Sequence, residues 1–325
     1  MKKRIEFHEP IAIVGIGCRL PGGIESPQQF WDFLSDHGNA ICDVPADRWD
    51  AGALFHADPS APGRTYARRG GFLRGIDQFD PQFFGISPRE AAHIDPQQRL
   101  LLETAHEAME DAGERWDDPA VRDTGVFVGV FIHDYQHMQF ADRDLLSAHT
   151  GTGTAMSIAA NRVSYVFDLH GPSLAVDTAC SSSLVAVDLA CKAIRNGECG
   201  YALAGGVNVI LKPEMTIAMS KATMLSKDGS CKSFDARADG YVRGEGAGVV
   251  VLRALSDAIA AGNPIYAVIR GSGVNSDGHT MEPFGNGFGD WNLDWKKWRN
   301  GSALVAGTPD GPSPAERARL RPQSV

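Results

Sequence analysis

A chain of 325 residues has room for two ordinary domains or one large α/β domain. Hydrophobic residues make up 43% and charged residues 22%, a globular balance that excludes wholesale disorder, and the net charge of −9 leaves no basic footprint for nucleic acid or an anionic membrane. The six cysteines form no C-x-x-C pair, no signal-peptide pattern precedes them, and no stretch nears the roughly 20 apolar residues of a membrane span, so free thiols in a cytoplasmic protein are expected.

The β-branched run 11–17, closed by glycines, predicts a buried first strand. Ser26-Pro27 then starts a short helix through Phe30, Trp31 and Leu34, with serine as cap and proline at the first helical position. The segment 43–84 is rich in Gly, Pro, Asp and Arg and predicts a long loop with little regular structure. Asp95-Pro96 opens a second helix that ends at Gly113, its outer face carrying Glu103, Glu107 and Glu110. Segments 124–130, 173–179, 201–209 and 246–252 have the apolar character of central strands, and parallel pairing with helices on both faces is the expected architecture. Between the second and third of these, 181–196 carries an apolar stripe of Leu184, Val185, Leu189 and Ile194 and stops at Gly197.

The texture changes near residue 285. The last 41 residues carry six bases and four acids and end in a Pro/Ala/Arg/Ser run, so 9–284 is expected to form one α/β unit and 285–325 a tail of unrelated composition. Within the tail, Trp291, Trp295 and Trp298 recur at helical spacing, which packing explains.

Chemistry concentrates at Asp177-Thr-Ala-Cys180-Ser-Ser-Ser-Leu-Val-Ala186. A buried strand that ends where a helix begins puts the Cys180 sulfur beside free backbone N–H groups and the positive end of the helix dipole, which favours thiolate and makes Cys180 a candidate nucleophile. Cys18, Cys42, Cys191, Cys199 and Cys231 have no such setting and read as small buried hydrophobes, while Ser181 to Ser183 read as cap and helix-start residues. Other chemistries fit less well. Gly15-Ile-Gly17 starts like a dinucleotide fingerprint but lacks its third glycine, as does Gly151-Thr-Gly153, and there is no G-K pair or G-x-S-x-G elbow. His106-Glu107 lacks the second histidine of a zinc-protease helix, and His133 and His137 sit in an expected polar loop, so no metal site is expected.

Around Cys180 the sequence resembles the active-site signature of β-ketoacyl synthases, specifically the ketosynthase domains of modular polyketide synthases and type I fatty acid synthases. Collinear matches include Glu9-Pro-Ile-Ala-Ile-Val-Gly-Ile-Gly-Cys-Arg-Leu-Pro-Gly-Gly23, Phe83-Phe-Gly-Ile-Ser-Pro-Arg-Glu-Ala91, Asp95-Pro-Gln-Gln-Arg99, Ala160-Asn-Arg162 and Asp239-Gly-Tyr-Val-Arg-Gly-Glu-Gly246. The resemblance implies a thiolase-like α/β fold, present as its N-terminal half and the start of its C-terminal half. It further implies that Cys180 takes an acyl chain as a thioester from the phosphopantetheine of an acyl carrier protein, with no bound cofactor and no metal, for decarboxylative condensation with a malonyl carrier. A homodimer or a partner ketosynthase is implied as well. The family's two C-terminal histidines lie in H-G-T-G-T and N-I-G-H motifs that this sequence does not contain; all ten of its histidines lie at or before His279. His149, beside a Thr-Gly-Thr-Gly-Thr run, precedes the cysteine and does not take their role. Gly287-Phe-Gly289 is too short a match to carry the family's second oxyanion donor. Condensation by this chain is therefore expected to be absent or slow, and apolar faces along 203–209 and 249–252 are expected to lie uncovered.

Overall fold

In the computed structural model the described residues are 9–276, with the backbone of Ala303–Leu304. The chain runs β1 (Ile11–Arg19), α1 (Pro27–Ser35), β2 (Ile41–Asp43), α2 (Ala51–Leu54), β3 (Arg69–Gly71), α3 (Pro88–Ala91) and α4 (Pro96–Asp111). It continues with β4 (Thr124–Gly129), α5 (Asp134–Ala141), α6 (Thr150–Thr154), α7 (Met156–Val166), β5 (Ser173–Val176), α8 (Ser182–Arg195) and β6 (Tyr201–Asn208). Last come α9 (Glu214–Lys221), β7 (Gly246–Ala254), α10 (Leu255–Ala261), β8 (Ala267–Ile269), β9 (Ser272–Gly273) and β10 (Ala303–Leu304).

Six strands form the central sheet in the order β5-β4-β6-β7-β1-β8. Only β5, β4 and β6 are parallel; β7 runs antiparallel to β6 and to β1, and β8 antiparallel to β1, so the sheet is mixed where a parallel one was expected. Short apolar runs report burial on both faces, and that burial is the same whichever way a strand points. Helices do cover both faces. α4, α7 and α10 pack with Val14, Val126, Leu203 and Val251 on one side, while α8 packs with Phe127, Ala202, Ala204 and Leu252 on the other. Leu203, Val207, Val249 and Leu252 are therefore buried, against the expectation that these strands would be left bare.

α4 lies close against β1 because the strand offers it no side chains there. A Cβ on Gly15 would sit 2.1 Å from the Ala108 carbonyl oxygen and one on Gly17 2.0 Å from that of Thr104. The glycines that imitate a dinucleotide fingerprint serve helix-to-strand contact. Asp95 caps α4, accepting from Gln97 N at 2.8 Å, and is wholly buried. Glu107, on the face expected to be solvated, receives the Arg19 guanidinium, and Glu103 is half-buried.

Segment 43–84 is largely irregular, as expected, but β2 and β3 pair as a small ribbon with the one-turn α2 between them. A buried ion pair pins it to the core: Glu245 receives Arg48 at 3.3 Å and also accepts from Leu73 N and Ile210 N. Residues 133–137, expected as polar loop, fall at the N-cap and start of α5. Buried Asp134 at its start accepts from Leu211 N and Lys212 N, a long-range anchor that local sequence does not announce. The proposed boundary at 284/285, the tryptophans of the tail, His279 and Gly287-Phe-Gly289 lie outside the described residues.

Candidate active site

β5 and α8 are joined by Asp177 to Ser181, with one 3-10 turn over Ala179–Ser181. The strand is shorter than expected, ending at Val176, and it forms the sheet edge with side chains half-buried or, at Leu174, exposed instead of a buried centre. The link is tied to itself by hydroxyls. Thr178 N donates to Ser182 Oγ at 2.8 Å, Ser182 Oγ donates to the Ala179 carbonyl at 2.6 Å, and Ser181 Oγ donates to the Thr178 carbonyl at 2.9 Å. Asp177 Oδ1 accepts from Ala179 N at 2.9 Å. Ser181 occupies the N-cap position of α8 but its side chain makes no cap bond, so these serines hold the turn by reaching back rather than by capping forward.

Ala179 is held at φ +56°, in the left-handed region that costs a side-chain-bearing residue about 1–2 kcal/mol. A sharp turn of this kind lifts the next residue out of the chain's path, and Cys180 is exposed. The start of α8 rests on two glycines at the ends of adjacent parallel strands. Gly129 and Gly206 are register partners in β4 and β6; a Cβ on the first would fall 2.5 Å from Ser183 N, and one on the second 2.8 Å from Ser183 Cβ. The helix can thus come down onto the sheet directly after the turn that carries Cys180.

Tyr241 stands within electrostatic reach of Cys180, its phenol pushed up mainly by burial. Nothing in local pattern singled out Tyr241; it belongs to the Asp239-to-Gly246 match, and only the fold brings it to the cysteine. Of the other thiols, Cys18, Cys191 and Cys199 are buried as expected, and burial pushes Cys191 and Cys199 up to about 11. Cys42 and Cys231 are exposed, contrary to expectation; Cys231 Sγ accepts from Val242 N at 3.2 Å. Both fall in irregular or ribbon segments with no apolar face to hide them.

Other motif residues turn out to be structural. Arg162 is buried and joins three elements, donating to Gln98 Oε1 at 2.7 Å, Glu90 Oε1 at 2.8 Å and the Thr152 carbonyl. His149 occupies the N-cap position of α6 and stacks on His93, and His106 Nδ1 accepts from Trp116 Nε1 at 3.0 Å. No cluster of three metal-ligating side chains occurs among the described residues.

Cys180 is thus exposed next to the strained Ala179, just ahead of a helix seated on glycines. Residues 8–258 match the family described as beta-ketoacyl synthase, N-terminal domain. The chain belongs to the β-ketoacyl synthase family. It is 54% identical over 277 residues to a phenolphthiocerol/phthiocerol polyketide synthase of Mycobacterium tuberculosis, covering 85% of this chain and 18% of that protein. Its fold is that of ketosynthase domains. The oxazolomycin ketosynthase domain of Streptomyces albus JA3453 superposes with a TM-score of 0.79 at 44% identity, covering 84% of this chain and 47% of that one. The ketosynthase from module 6 of the bacillaene synthase of Bacillus subtilis 168 gives 0.74 at 41% identity, covering 84% and 45%. This ketosynthase chain therefore spans less than half of those solved chains and under a fifth of the curated polyketide synthase. Among the described residues no helix is long and apolar enough to cross a membrane.

Proposed function

We propose that this chain carries the nucleophile half of a polyketide-type ketosynthase and that Cys180 accepts an acyl chain from the phosphopantetheine thioester of an acyl carrier protein in the cytoplasm. The observation that carries this reading is the exposure of Cys180 on the strained Ala179 turn at the head of α8. In the transfer, the Cys180 thiolate attacks the carrier thioester carbonyl, and the tetrahedral intermediate collapses with loss of the pantetheine thiolate, which takes up a proton. The backbone N–H of Cys180 is suited to stabilise the developing oxyanion.

Decarboxylative condensation would draw on donors outside the groups placed around Cys180. Losing one such donor typically costs roughly 2.7–4 kcal/mol of transition-state stabilisation, so loading without elongation is the expected behaviour of these 325 residues alone. The test is to incubate the purified chain with an acyl carrier thioester and follow it by intact mass spectrometry, then add malonyl carrier. A mass increment mapping to Cys180 supports the reading; no increment, or one that persists in Cys180→Ala, overturns it. Ketoacyl product at an ordinary ketosynthase rate would show that condensation is intact. The alternative, a chain that only docks a carrier or a partner ketosynthase, is favoured if the carrier binds without acyl transfer.

A further inference from the structure

A cavity of about 360 Å³ lies between the β2–β3 ribbon and the segment that leads into β7. Trp49, Phe55 and Tyr66 form much of its apolar wall, and Arg68, Lys227 and Arg243 its polar one. The charges in this wall are unbalanced. Arg243 is half-buried and its Nη1 donates to Thr216 Oγ1 at 2.7 Å; among the described residues it forms no salt bridge, and the charges acting on it include the carboxylates of Asp134, held by the Leu211 and Lys212 N–H groups, and Glu245, held by Arg48. Arg68 lies over the Phe55 ring at 4.2 Å, and neither it nor Lys227 is paired with a carboxylate among the described residues. The two acids in the lining are already engaged, Asp43 by Arg69 and Asp228 by Lys232, and both are exposed.

A planar guanidinium fork with donors to spare at an aromatic wall suits a planar, bidentate anion. The size falls in the range of small-ligand pockets. In a chain of net charge −9, three cations that form no salt bridge among the described residues line one aromatic cavity. We infer that this cavity binds a small organic carboxylate with a flat apolar body, the carboxylate on Arg243 with Arg68 and Lys227, and the body against Trp49, Phe55 and Tyr66. The site is separate from the acyl-accepting sulfur, although Tyr241 belongs both to the cavity wall and to the surroundings of Cys180.

The test uses 2-naphthoate as probe, 2-naphthylmethanol as its neutral counterpart and inorganic phosphate as a bare anion, with calorimetry on the whole chain. Cys180 is first alkylated with iodoacetamide, so that the readout is independent of acyl transfer. The expected result is saturable 1:1 binding of naphthoate, at least about tenfold weaker binding of the alcohol, and a loss of about tenfold or more in Arg243→Gln, the scale of one charge-assisted hydrogen bond. Arg68→Gln and Lys227→Gln, both more exposed changes, guard against a folding defect and should each weaken binding several-fold with unchanged melting temperature. Equal binding of acid and alcohol, no binding of naphthoate at concentrations on the order of 10 mM, or unchanged affinity in all three variants overturns the inference. Binding of phosphate without binding of naphthoate overturns the carboxylate class and assigns the cations to a phosphate. Loss of naphthoate binding on alkylation of Cys180 overturns the separateness of the two sites. None of these outcomes depends on whether acyl transfer occurs.

Discussion

Cys180 differs from the other five thiols in combining exposure with a place in the turn that leads directly into a long helix. Iodoacetamide at neutral pH is expected to label it first, Cys42 and Cys231 more slowly, and Cys18, Cys191 and Cys199 only on unfolding. Peptide mapping over time checks this; faster labelling of Cys231, whose sulfur already accepts the Val242 N–H, would remove the physical basis for the nucleophile. The residue before it gives a second expectation. Ala179→Gly removes the left-handed penalty at φ +56° and should raise stability by about 1 kcal/mol, read as a shift in urea midpoint at constant m-value. That Cys180 was legible in sequence, and Tyr241 was not, has one cause. The cysteine is marked by its own strand-to-helix junction, whereas the tyrosine, some sixty positions downstream, comes within its electrostatic reach only in the fold.

At the scale of elements, helix starts were the most readable features because proline and a capping side chain act within one turn. Ser26-Pro27 and Asp95-Pro96 both begin helices where the pattern predicts, with Ser26 Oγ accepting from Gln29 N and Asp95 from Gln97 N. Strand direction, the edge position of β5 and the helical state of α5 were not readable, since each is decided by a partner distant in the chain; α5 starts on Asp134, whose carboxylate is used by Leu211 and Lys212. The cap of α4 also carries a pH dependence. Burial raises the Asp95 carboxyl from 3.8 to about 6, with Gln97 and Arg99 opposing that rise and Asp134 adding to it. A raised folded-state value means that its contribution is fully present below about pH 3.8 and is lost as pH rises through about 6. Asp95→Asn keeps an acceptor for Gln97 N without the buried charge, while its amide nitrogen replaces the Oδ2 that accepts from Gln97 Nε2 at 3.3 Å, a loss that is the same at every pH. The variant should therefore improve relative to the parent by on the order of 2 kcal/mol between pH 4 and pH 7.5. Urea melts at the two values check it, and an equal difference at both would refute the assignment.

For the whole molecule, the uncovered apolar surface lies elsewhere than the strand faces the sequence suggested. Tyr165 is 87% exposed and Leu174 45%, flanking the free edge of β5, and Met138, Phe140, Leu145 and Leu146 are also exposed. A free edge beside apolar side chains is a template for another chain, and exposed apolar area beyond a few hundred Å² normally drives association. The chain is therefore expected to self-associate or to bind an intact ketosynthase. Light scattering coupled to size exclusion should report a species larger than one chain; a monodisperse monomer that binds no hydrophobic dye would contradict this. Leu174→Lys, which places a charge on the edge strand, should shift the distribution toward the monomer.

The seat of α8 on Gly129 and Gly206 has a genetic consequence. Glycine codons share their first two bases, so every change at either of those bases installs a side chain or a stop, and only third-base changes are silent. Because the Gly129 Cβ would strike backbone at 2.5 Å, and backbone cannot rotate away as a side chain can, the smallest available replacement, alanine, already lifts the helix head and its cysteine. A library of all single-base changes, scored for acylation of Cys180, should therefore read codon 129 as intolerant at two bases and free at the third. An alanine at 206 meets the Ser183 Cβ at 2.8 Å, an atom that glycine at 183 removes, and should retain some activity when Ser183 is also glycine.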